Sequence, residues 1–165
     1  MRAKPMTVYI MLGSNVGRRK AMIAKARFLI SNHCGDIVKL SSIYETEPWG
    51  EKNQNKFINQ VIELRTHLGC RELLENCKRI EEHLGKSKIT KYGPRNIDID
   101  ILFYGLQTFQ EEDLQIPHPR LHERNFVLDP LDEIASEYIH PIFNVSIHQL
   151  KLNSSDICQT VKLTD

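Results

Sequence analysis

Two aspartates, Asp98 and Asp100, alternate with isoleucines in a short apolar run. Successive side chains of a β-strand point to opposite faces, so this spacing places both carboxylates on one face, about 7 Å apart at their Cβ atoms. Aspartate is disfavoured in strands, and like charges on one face repel each other. A divalent cation removes that conflict, and Mg²⁺ combines carboxylate ligands with water and phosphate. The alternative is a solvated strand face that happens to carry two acids.

A cationic segment lies directly before the aspartates. Within ten residues that contain no acid, it supplies four positive charges: Lys86, Lys88, Lys91 and Arg95. Carboxylates that hold a metal beside a cationic loop are what a polyphosphate with its Mg²⁺ requires. A basic run is usually a solvated face, but the position of this one favours phosphate binding. Arg95 in particular could form paired hydrogen bonds with phosphate oxygens.

A second group of residues suits a flat heterocycle. Phe57 and Asn59 share one strand face, and an amide there needs a hydrogen-bond partner. Phe57 and the distant Phe126 could stack on the two faces of a ring, while Asn59 contacts its edge as donor and acceptor. Thr46 and Trp49 stand in the preceding loop, where the indole could cover a site. The alternative is two core phenylalanines, an asparagine at a strand end and a packed tryptophan.

A third group centres on His118, which has a proline on each side, and on Arg124. His122 follows His118 at a spacing of four, but the prolines disfavour the helical register of a metal-binding pair. A neutral His118 and a cationic Arg124 could contact nucleotide phosphates or ribose. From spacing alone, a rigid turn with surface cations is the simpler interpretation. The sequence contains neither GxxxxGK[ST] nor GxGxxG, so the common phosphate-binding loops are absent.

Apolar periodicity predicts the elements that position these residues. Strands are predicted at residues 7–12, 36–44, 57–64 and 97–104, and helices at residues 18–33 and 70–84. Asp129 followed by Pro130 predicts the start of a further short helix, with Asp129 as its cap. This order of elements predicts an α+β fold of the split βαβ kind, with the helices packed on one face of the sheet.

The composition predicts one globular domain, residues 1–165, with 41% hydrophobic and 26% charged residues. A formal charge of +1 argues against a broad surface for nucleic acid or anionic membrane. No apolar run approaches the roughly 20 residues that span a bilayer, and the N-terminal one is too short for a secretory signal. The four cysteines lack metal-ligand spacing, so we expect reduced thiols and a cytoplasmic protein.

Together these motifs resemble the 6-hydroxymethyl-7,8-dihydropterin pyrophosphokinase (2-amino-4-hydroxy-6-hydroxymethyldihydropteridine diphosphokinase) family of folate biosynthesis. The most specific part is Gly-Pro-Arg-Asn-Ile-Asp-Ile-Asp at residues 93–100. The resemblance implies a ferredoxin-like fold, here with a C-terminal extension. It also implies transfer of pyrophosphate from ATP to the pterin hydroxymethyl oxygen, with release of AMP. The matching segments are residues 12–15, 41–48, 57–59, 79–81, 93–100, 117–120 and 124–128.

The resemblance further implies a role for each candidate residue. Asp98 and Asp100 would hold two Mg²⁺ ions, and Arg95 and Lys86 would be catalytic, although the family usually has arginine where Lys86 stands. The residues around ATP would be Glu81, Lys88, Tyr92, Arg95, Ile101, His118 and Arg124. Those around the pterin would be Thr46, Trp49, Phe57, Asn59 and Phe126. We expect a monomer or weak homodimer whose partners are these two small molecules, with no nucleic acid or membrane.

Two functions of other classes compete with this one. A non-catalytic nucleotide-binding domain could use the same fold, because fold does not fix function. A metal-dependent phosphohydrolase could use the same aspartates, but it leaves Phe57, Asn59 and Phe126 unexplained.

Overall fold

A computed structural model describes residues 3–48, 50, 52–85 and 96–164. These ranges form a mixed α/β fold built on an antiparallel sheet. None of their helices is long and apolar enough to cross a membrane. The elements are β1 (Met6–Ser14), α1 (Arg19–His33), β2 (Asp36–Leu40), β3 (Tyr44–Thr46), β4 (Phe57–Thr66), α2 (Cys70–His83), β5 (Asp98–Tyr104), β6 (Phe109–Gln110), β7 (Gln115–Ile116), a 3-10 turn (Leu121–Glu123), α3 (Asn125–Ala135), α4 (Ile147–Leu152) and β8 (Thr160–Lys162).

The first strand, β1, lies at the centre of the sheet. It pairs antiparallel with β4 on one side and with β5 on the other. The far edge of β4 is shared by two shorter strands, β2 and β3, and β8 continues the sheet beyond β3. Strands β6 and β7 form a separate hairpin. The long strands thus bring segments from both halves of the chain side by side.

Both faces of the sheet are covered by helices. Val8, Ile10 and Leu12 of β1 point into a core formed with α1 and α2, which we call the first face. Tyr9 and Met11 point the opposite way, into a core formed with α3 and α4, which we call the second face. The expectation that the helices pack on one face is therefore correct only for α1 and α2. Helices α3 and α4 cover the second face. The order of elements in the sequence did not predict this.

The single strand predicted at residues 36–44 is in fact two strands, β2 and β3. Both pair with β4, and the chain is interrupted between them at Ser41. The Ser41 N–H donates to the Val61 carbonyl (2.9 Å), but the Val61 N–H donates to the Ser41 hydroxyl (2.9 Å). Because a side-chain oxygen replaces a main-chain carbonyl in this ladder, the regular pairing stops there.

The predicted start of the third helix is wrong. Helix α3 begins five residues earlier, at Asn125, and contains Pro130 in its interior. The residue before it, Arg124, makes no side-chain capping bond. Instead, the Asn125 N–H donates to the carboxylate of Asp156 (2.8 Å), more than thirty residues further along the chain. The cap of α3 is therefore non-local. The Asp129-Pro130 pair, which is typical of a helix start, lies inside the helix instead.

The four cysteines are free thiols, and three of them are buried in the first-face core: Cys34, Cys70 and Cys77. Burial raises the pKa of Cys70 to about 11. At neutral pH this group is therefore a thiol, which packs as a small apolar side chain. The role of Cys70 in the first-face core is thus structural packing.

His140 closes an aromatic cluster at the edge of the second face. Its ring stacks on Phe143, with ring centroids 4.3 Å apart, and meets the edge of Phe103 at 5.4 Å. Its Nδ1 accepts the N–H groups of Ile142 and Phe143, both at 3.2 Å. Burial lowers the pKa of His140 to about 4, with a smaller contribution from His122. The folded protein therefore holds this imidazole neutral.

Acidification should destabilise the protein through His140. Its ordinary pKa of 6.5 lies above the folded value of about 4, so the unfolded chain takes up the proton first. Stability is then lost as the pH falls from about 6.5 towards 4. For this group alone we expect a loss of about 2 kcal/mol in the free energy of unfolding between pH 7 and pH 4.5.

Urea unfolding of the parent and of His140→Asn at both pH values measures this contribution. The asparagine amide keeps a polar atom near the position of Nδ1 but does not titrate. The variant should lose markedly less stability on acidification than the parent. An equal loss in both proteins would contradict the assignment.

Candidate functional site

Three paired strands bring Asp98, Gly13 and Asn59 side by side. Gly13 of β1 lies opposite Asp98 of β5 on one side and opposite Asn59 of β4 on the other. Residues directly opposite each other point to the same face, so the two side chains project on either side of a glycine. Two strand spacings separate them, about 10 Å at the Cα atoms. The predicted face shared by Asp98 and Asp100 is thus the second face, at the end of the sheet.

Asn59 and Thr46 form a buried polar recess next to this row. Asn59 is 2% exposed and Thr46 is 3% exposed, and the Asn59 side-chain amide donates to the Thr46 hydroxyl (3.2 Å). Phe57 lies opposite Thr46 in the pairing of β3 with β4, so its ring belongs to the same face. The predicted pterin contacts Thr46, Phe57 and Asn59 therefore come together on adjacent strands.

Gly13 leaves the space that this recess needs, and the sequence reasoning did not include it among the site residues. A Cβ added to Gly13 would lie 2.9 Å from the side-chain oxygen of Asn59, closer than real Cβ contacts. The sequence signals were a glycine at the end of a buried apolar strand, which often marks a close approach, and its place in the family-like segment at residues 12–15. Any larger residue at this position displaces the Asn59 amide.

The start of α3, together with the residue before it, brings two further predicted residues to the second face. Helix α3 packs against β4 and β3, and Phe126 lies partly buried against the second-face core. The Arg124 guanidinium carbon lies 5.6 Å from the centroid of the Phe126 ring, within the range of a cation–π interaction. Arg124 and Phe126 therefore occupy one corner of the second face, on the element that covers Asn59 and its neighbours.

His118 is fixed beside the strand that carries the aspartates. Its main-chain N–H donates to the Leu102 carbonyl of β5 (3.0 Å), and its Nδ1 accepts the Arg120 N–H (3.3 Å). Burial, with smaller contributions from the nearby Arg124 and Arg120 guanidinium groups, lowers the pKa of His118 to about 4. The ring is therefore neutral near pH 7 with its proton on Nε2, which makes it a hydrogen-bond donor.

Glu81 of α2 supports the aspartates from the opposite side. Its carboxylate accepts the main-chain N–H of Ile99 (2.8 Å), the residue between Asp98 and Asp100. Ile101 is 6% exposed and belongs to the first-face core, so its side chain points away from the aspartates. The predicted ATP contact of Ile101 is therefore restricted to its main-chain groups on β5, the edge strand.

Five of the predicted site residues lie outside the described residues: Trp49, Lys86, Lys88, Tyr92 and Arg95. Among the described residues, no group of three or more histidine, cysteine, aspartate or glutamate side chains could hold a metal ion. The pair Asp98 and Asp100 still fits Mg²⁺, because this ion usually takes one or two carboxylates and completes its shell with water and substrate phosphates. Both side chains are partly exposed, so such ligands can reach them.

Two carboxylates that fit Mg²⁺ share one face of the sheet with a buried amide recess, which suits an enzyme that binds a metal-bound polyphosphate and a heterocycle. The family model described as 7,8-dihydro-6-hydroxymethylpterin-pyrophosphokinase (HPPK) matches residues 9–136. The chain belongs to this family. It is 43% identical over 130 residues to the 2-amino-4-hydroxy-6-hydroxymethyldihydropteridine pyrophosphokinase of Bacillus subtilis, which covers 78% of each chain. The Aquifex aeolicus enzyme of the same name is 41% identical over 145 residues, 88% of this chain and 90% of the relative.

Two solved structures with a similar fold are larger proteins. The chain matches an HPPK-DHPS crystallised in complex with substrates, with a TM-score of 0.75 and 18% identity, over 91% of this chain and 43% of the other. Wild-type Plasmodium falciparum HPPK-DHPS gives a TM-score of 0.72 and 19% identity, over 92% and 45%. The chain thus spans less than half the length of these neighbours, and at this identity the likeness concerns the fold alone.

Loss of the Glu81 carboxylate should destabilise β5. Glu81→Ala leaves the Ile99 N–H without its acceptor, so we expect the free energy of unfolding to fall by about 1–3 kcal/mol. Glu81→Gln retains an acceptor oxygen and should lose much less. Glu75→Ala, at an exposed glutamate of the same helix, is the matched control. Urea unfolding measures the free energy of unfolding of each variant. An equal loss in Glu81→Ala and Glu75→Ala would contradict a stabilising role for the hydrogen bond between Ile99 and Glu81.

Proposed function

We propose that the protein transfers the β,γ-pyrophosphoryl group of ATP to the hydroxymethyl oxygen of 6-hydroxymethyl-7,8-dihydropterin, giving the pterin diphosphate and AMP, a step of folate biosynthesis. Membership of the pyrophosphokinase family supports this activity. The observation that carries it is the row of Asp98, Gly13 and Asn59 across three strands. This row places the proposed site for the metal and phosphates, at Asp98, about 10 Å from the proposed site for the heterocycle, at Asn59, which is two strand spacings.

We assign the central strands to the ferredoxin-like class, with the C-terminal elements as an extension. The strand order β5-β1-β4-β2 supports this assignment. Strands β1 and β2 are both antiparallel to β4, and strands β4 and β5 are both antiparallel to β1. Each pair is therefore parallel, is connected by one helix and is separated by a strand of the other pair, as in two split βαβ units.

Asp98 and Asp100 are the proposed ligands of two Mg²⁺ ions that accompany the triphosphate. When bound, the ions neutralise phosphate charge and fix the triphosphate in place. Both carboxylates project from one strand, whose position Glu81 supports through the Ile99 N–H. Arg95 and Lys86 are the proposed cations that stabilise the negative charge developing during transfer. Their positions in the sequence, within fourteen residues of Asp100, support this role.

The remaining ATP contacts are proposed for groups around β5. The neutral His118 can donate a hydrogen bond from Nε2 to a phosphate or ribose oxygen, because its Nδ1 already accepts a main-chain N–H. Arg124 supplies a positive charge just before α3, and Ile101 contributes through its main chain. Glu81, Lys88 and Tyr92 complete the proposed set.

ATP is a cytoplasmic metabolite, so we infer a cytoplasmic reaction.

The pterin is proposed to bind between Phe57 and Phe126, with its edge on Asn59 and Thr46. The buried hydrogen bond between Asn59 and Thr46 supports this placement, because it holds the amide in one orientation before the ring arrives. An amide presents both a donor and an acceptor, which match the mixed pattern along a pterin edge. Trp49 is proposed to cover the ring.

The proposed reaction depends on alignment more than on acid–base chemistry. The pterin hydroxymethyl oxygen bonds to the β-phosphorus of ATP while the bond from this phosphorus to the oxygen bridging to the α-phosphate breaks. AMP leaves with that oxygen, and the hydroxyl proton passes to solvent. Holding the two reactants in line removes much of the entropic barrier, and fixed positive charge stabilises the transferring group. The carboxylates and the amide recess supply this alignment from one rigid face.

Asp98→Ala should abolish AMP formation without unfolding the protein. The substitution removes one of the two carboxylates proposed to face the triphosphate. The Asp98 side chain is partly exposed and is not part of the apolar core, so the fold should be retained. Phosphorus NMR of the protein with ATP, Mg²⁺ and the hydroxymethyl-dihydropterin measures the products directly. Asp36→Ala, at an exposed aspartate on β2, is the matched control and should retain the parent's rate.

The same spectra test the activity itself. AMP and a pyrophosphorylated pterin that both require the two substrates together support the proposed function. ADP, or free phosphate formed without the pterin, indicates a kinase or a hydrolase instead. Retained turnover in Asp98→Ala contradicts the metal-ligand assignment.

Gly13→Ala should weaken pterin binding selectively. The added methyl group lies 2.9 Å from the Asn59 oxygen and forces the amide out of position. Loss of one hydrogen bond to the ring corresponds to a rise of roughly tenfold in the KM for the pterin. Gly69→Ala, where an added Cβ meets nothing within 4 Å, is the control. An unchanged pterin KM in Gly13→Ala would exclude Asn59 from the binding site.

A further inference from the structure

We infer that residues 154–162, which we call the C-terminal strap, position the pterin and ATP side chains at the start of α3, with Asp156 as the key positioning residue. This inference rests on the proposed function and adds a residue to it. The family model matches residues 9–136, so the strap lies outside the matched region. None of the residues implied by the family resemblance lies in the strap.

The strap binds nearly every polar group of Asn125, the first residue of α3. The Asn125 main-chain N–H donates to the Asp156 carboxylate (2.8 Å). Its side-chain amide donates to the main-chain carbonyls of Asp156 (2.8 Å) and Cys158 (3.2 Å), and its side-chain oxygen accepts the Ser154 hydroxyl (2.9 Å). Four hydrogen bonds to one residue fix both its backbone and its side chain.

Asp156 organises this contact from within the strap. One carboxylate oxygen receives the Asn125 N–H, while the other accepts the N–H of Cys158 (2.9 Å). The main-chain N–H of Asp156 donates to the Ser154 hydroxyl (3.2 Å). A single carboxylate therefore both folds the strap and caps α3, at the helix end where negative charge is favourable.

The far end of the strap binds the opposite wall of the pterin site. Strand β8 pairs with β3, and Thr160 lies opposite Thr46, the proposed pterin contact. The Thr160 hydroxyl also donates to the Asp129 carboxylate of α3. The strap thus connects the two elements that carry Thr46 and Phe126.

Asn125 stands between Arg124 and Phe126, so a displaced Asn125 moves both side chains together. Phe126 is the proposed stacking partner of the pterin. Release of Asn125 should therefore lower the affinity for the pterin before it lowers the rate of transfer. Loss of folded protein alone would lower the apparent kcat and leave KM unchanged.

Steady-state assays of AMP formation test this distinction with the 165-residue chain. We expect Asp156→Ala to raise the KM for the pterin roughly tenfold while kcat changes less than threefold, because a displaced Phe126 weakens contact with the ring while Asp98 and Asp100 keep their positions on β5. Asp156→Asn, which keeps one acceptor oxygen, should give an intermediate KM. Glu137→Ala, at an exposed acid beyond the other end of α3, is the control and should match the parent.

A double-variant cycle shows whether Asp156 acts through Asn125. If it does, Asn125→Ala/Asp156→Ala should raise the pterin KM no further than the more affected single variant. Additive effects, or an unchanged KM in Asp156→Ala with a parent that forms AMP, would overturn the positioning role and leave the proposed function intact. A parent that forms no AMP with the pterin would overturn both.

Discussion

The pairing of β1 with β4 and β5 is the constraint on which the rest of the structure depends. Side chains alternate strictly along each strand, so the register decides which residues share a face. A slip of one residue between β1 and either neighbour would turn Asn59 or Asp98 to the first face, away from its partners. The proposed chemistry requires all of these groups on one side, so the register is a condition of function as well as of folding.

Burial on both faces holds this register in place. Val8, Ile10 and Leu12 are completely buried against α1 and α2, and Tyr9 and Met11 are almost completely buried against α3 and α4. Full burial of a large apolar side chain is worth about 1.5–3 kcal/mol, so a slipped strand would sacrifice several such contributions at once. The buried residues 8–12 of β1 supply the stability of the strand. Gly13, at the end of β1, can therefore be used for the site at little cost to the fold.

The sequence predicted what depends on local periodicity and missed what depends on distant contacts. Alternation correctly placed Asp98 with Asp100, and Phe57 with Asn59, because a strand's faces follow from its own residues. The break at Ser41 was missed, because it depends on a hydroxyl that replaces a carbonyl in the ladder with β4. The short elements α4 and β8 carry too few residues for a periodic signal, so only tertiary pairing reveals them.

The start of α3 shows why the corner of the site near Phe126 was the hardest part to predict. Local rules look for a cap within a residue or two of a helix, and Arg124 cannot provide one. The capping carboxylate comes from Asp156, far along the chain, so the true start carries no local signature. The sheet register fixes the floor of the site within the region that the family model matches. The corner of the site at Phe126 depends on Asp156, which lies beyond that region. The proposed site therefore depends on both the central sheet and the C-terminal residues.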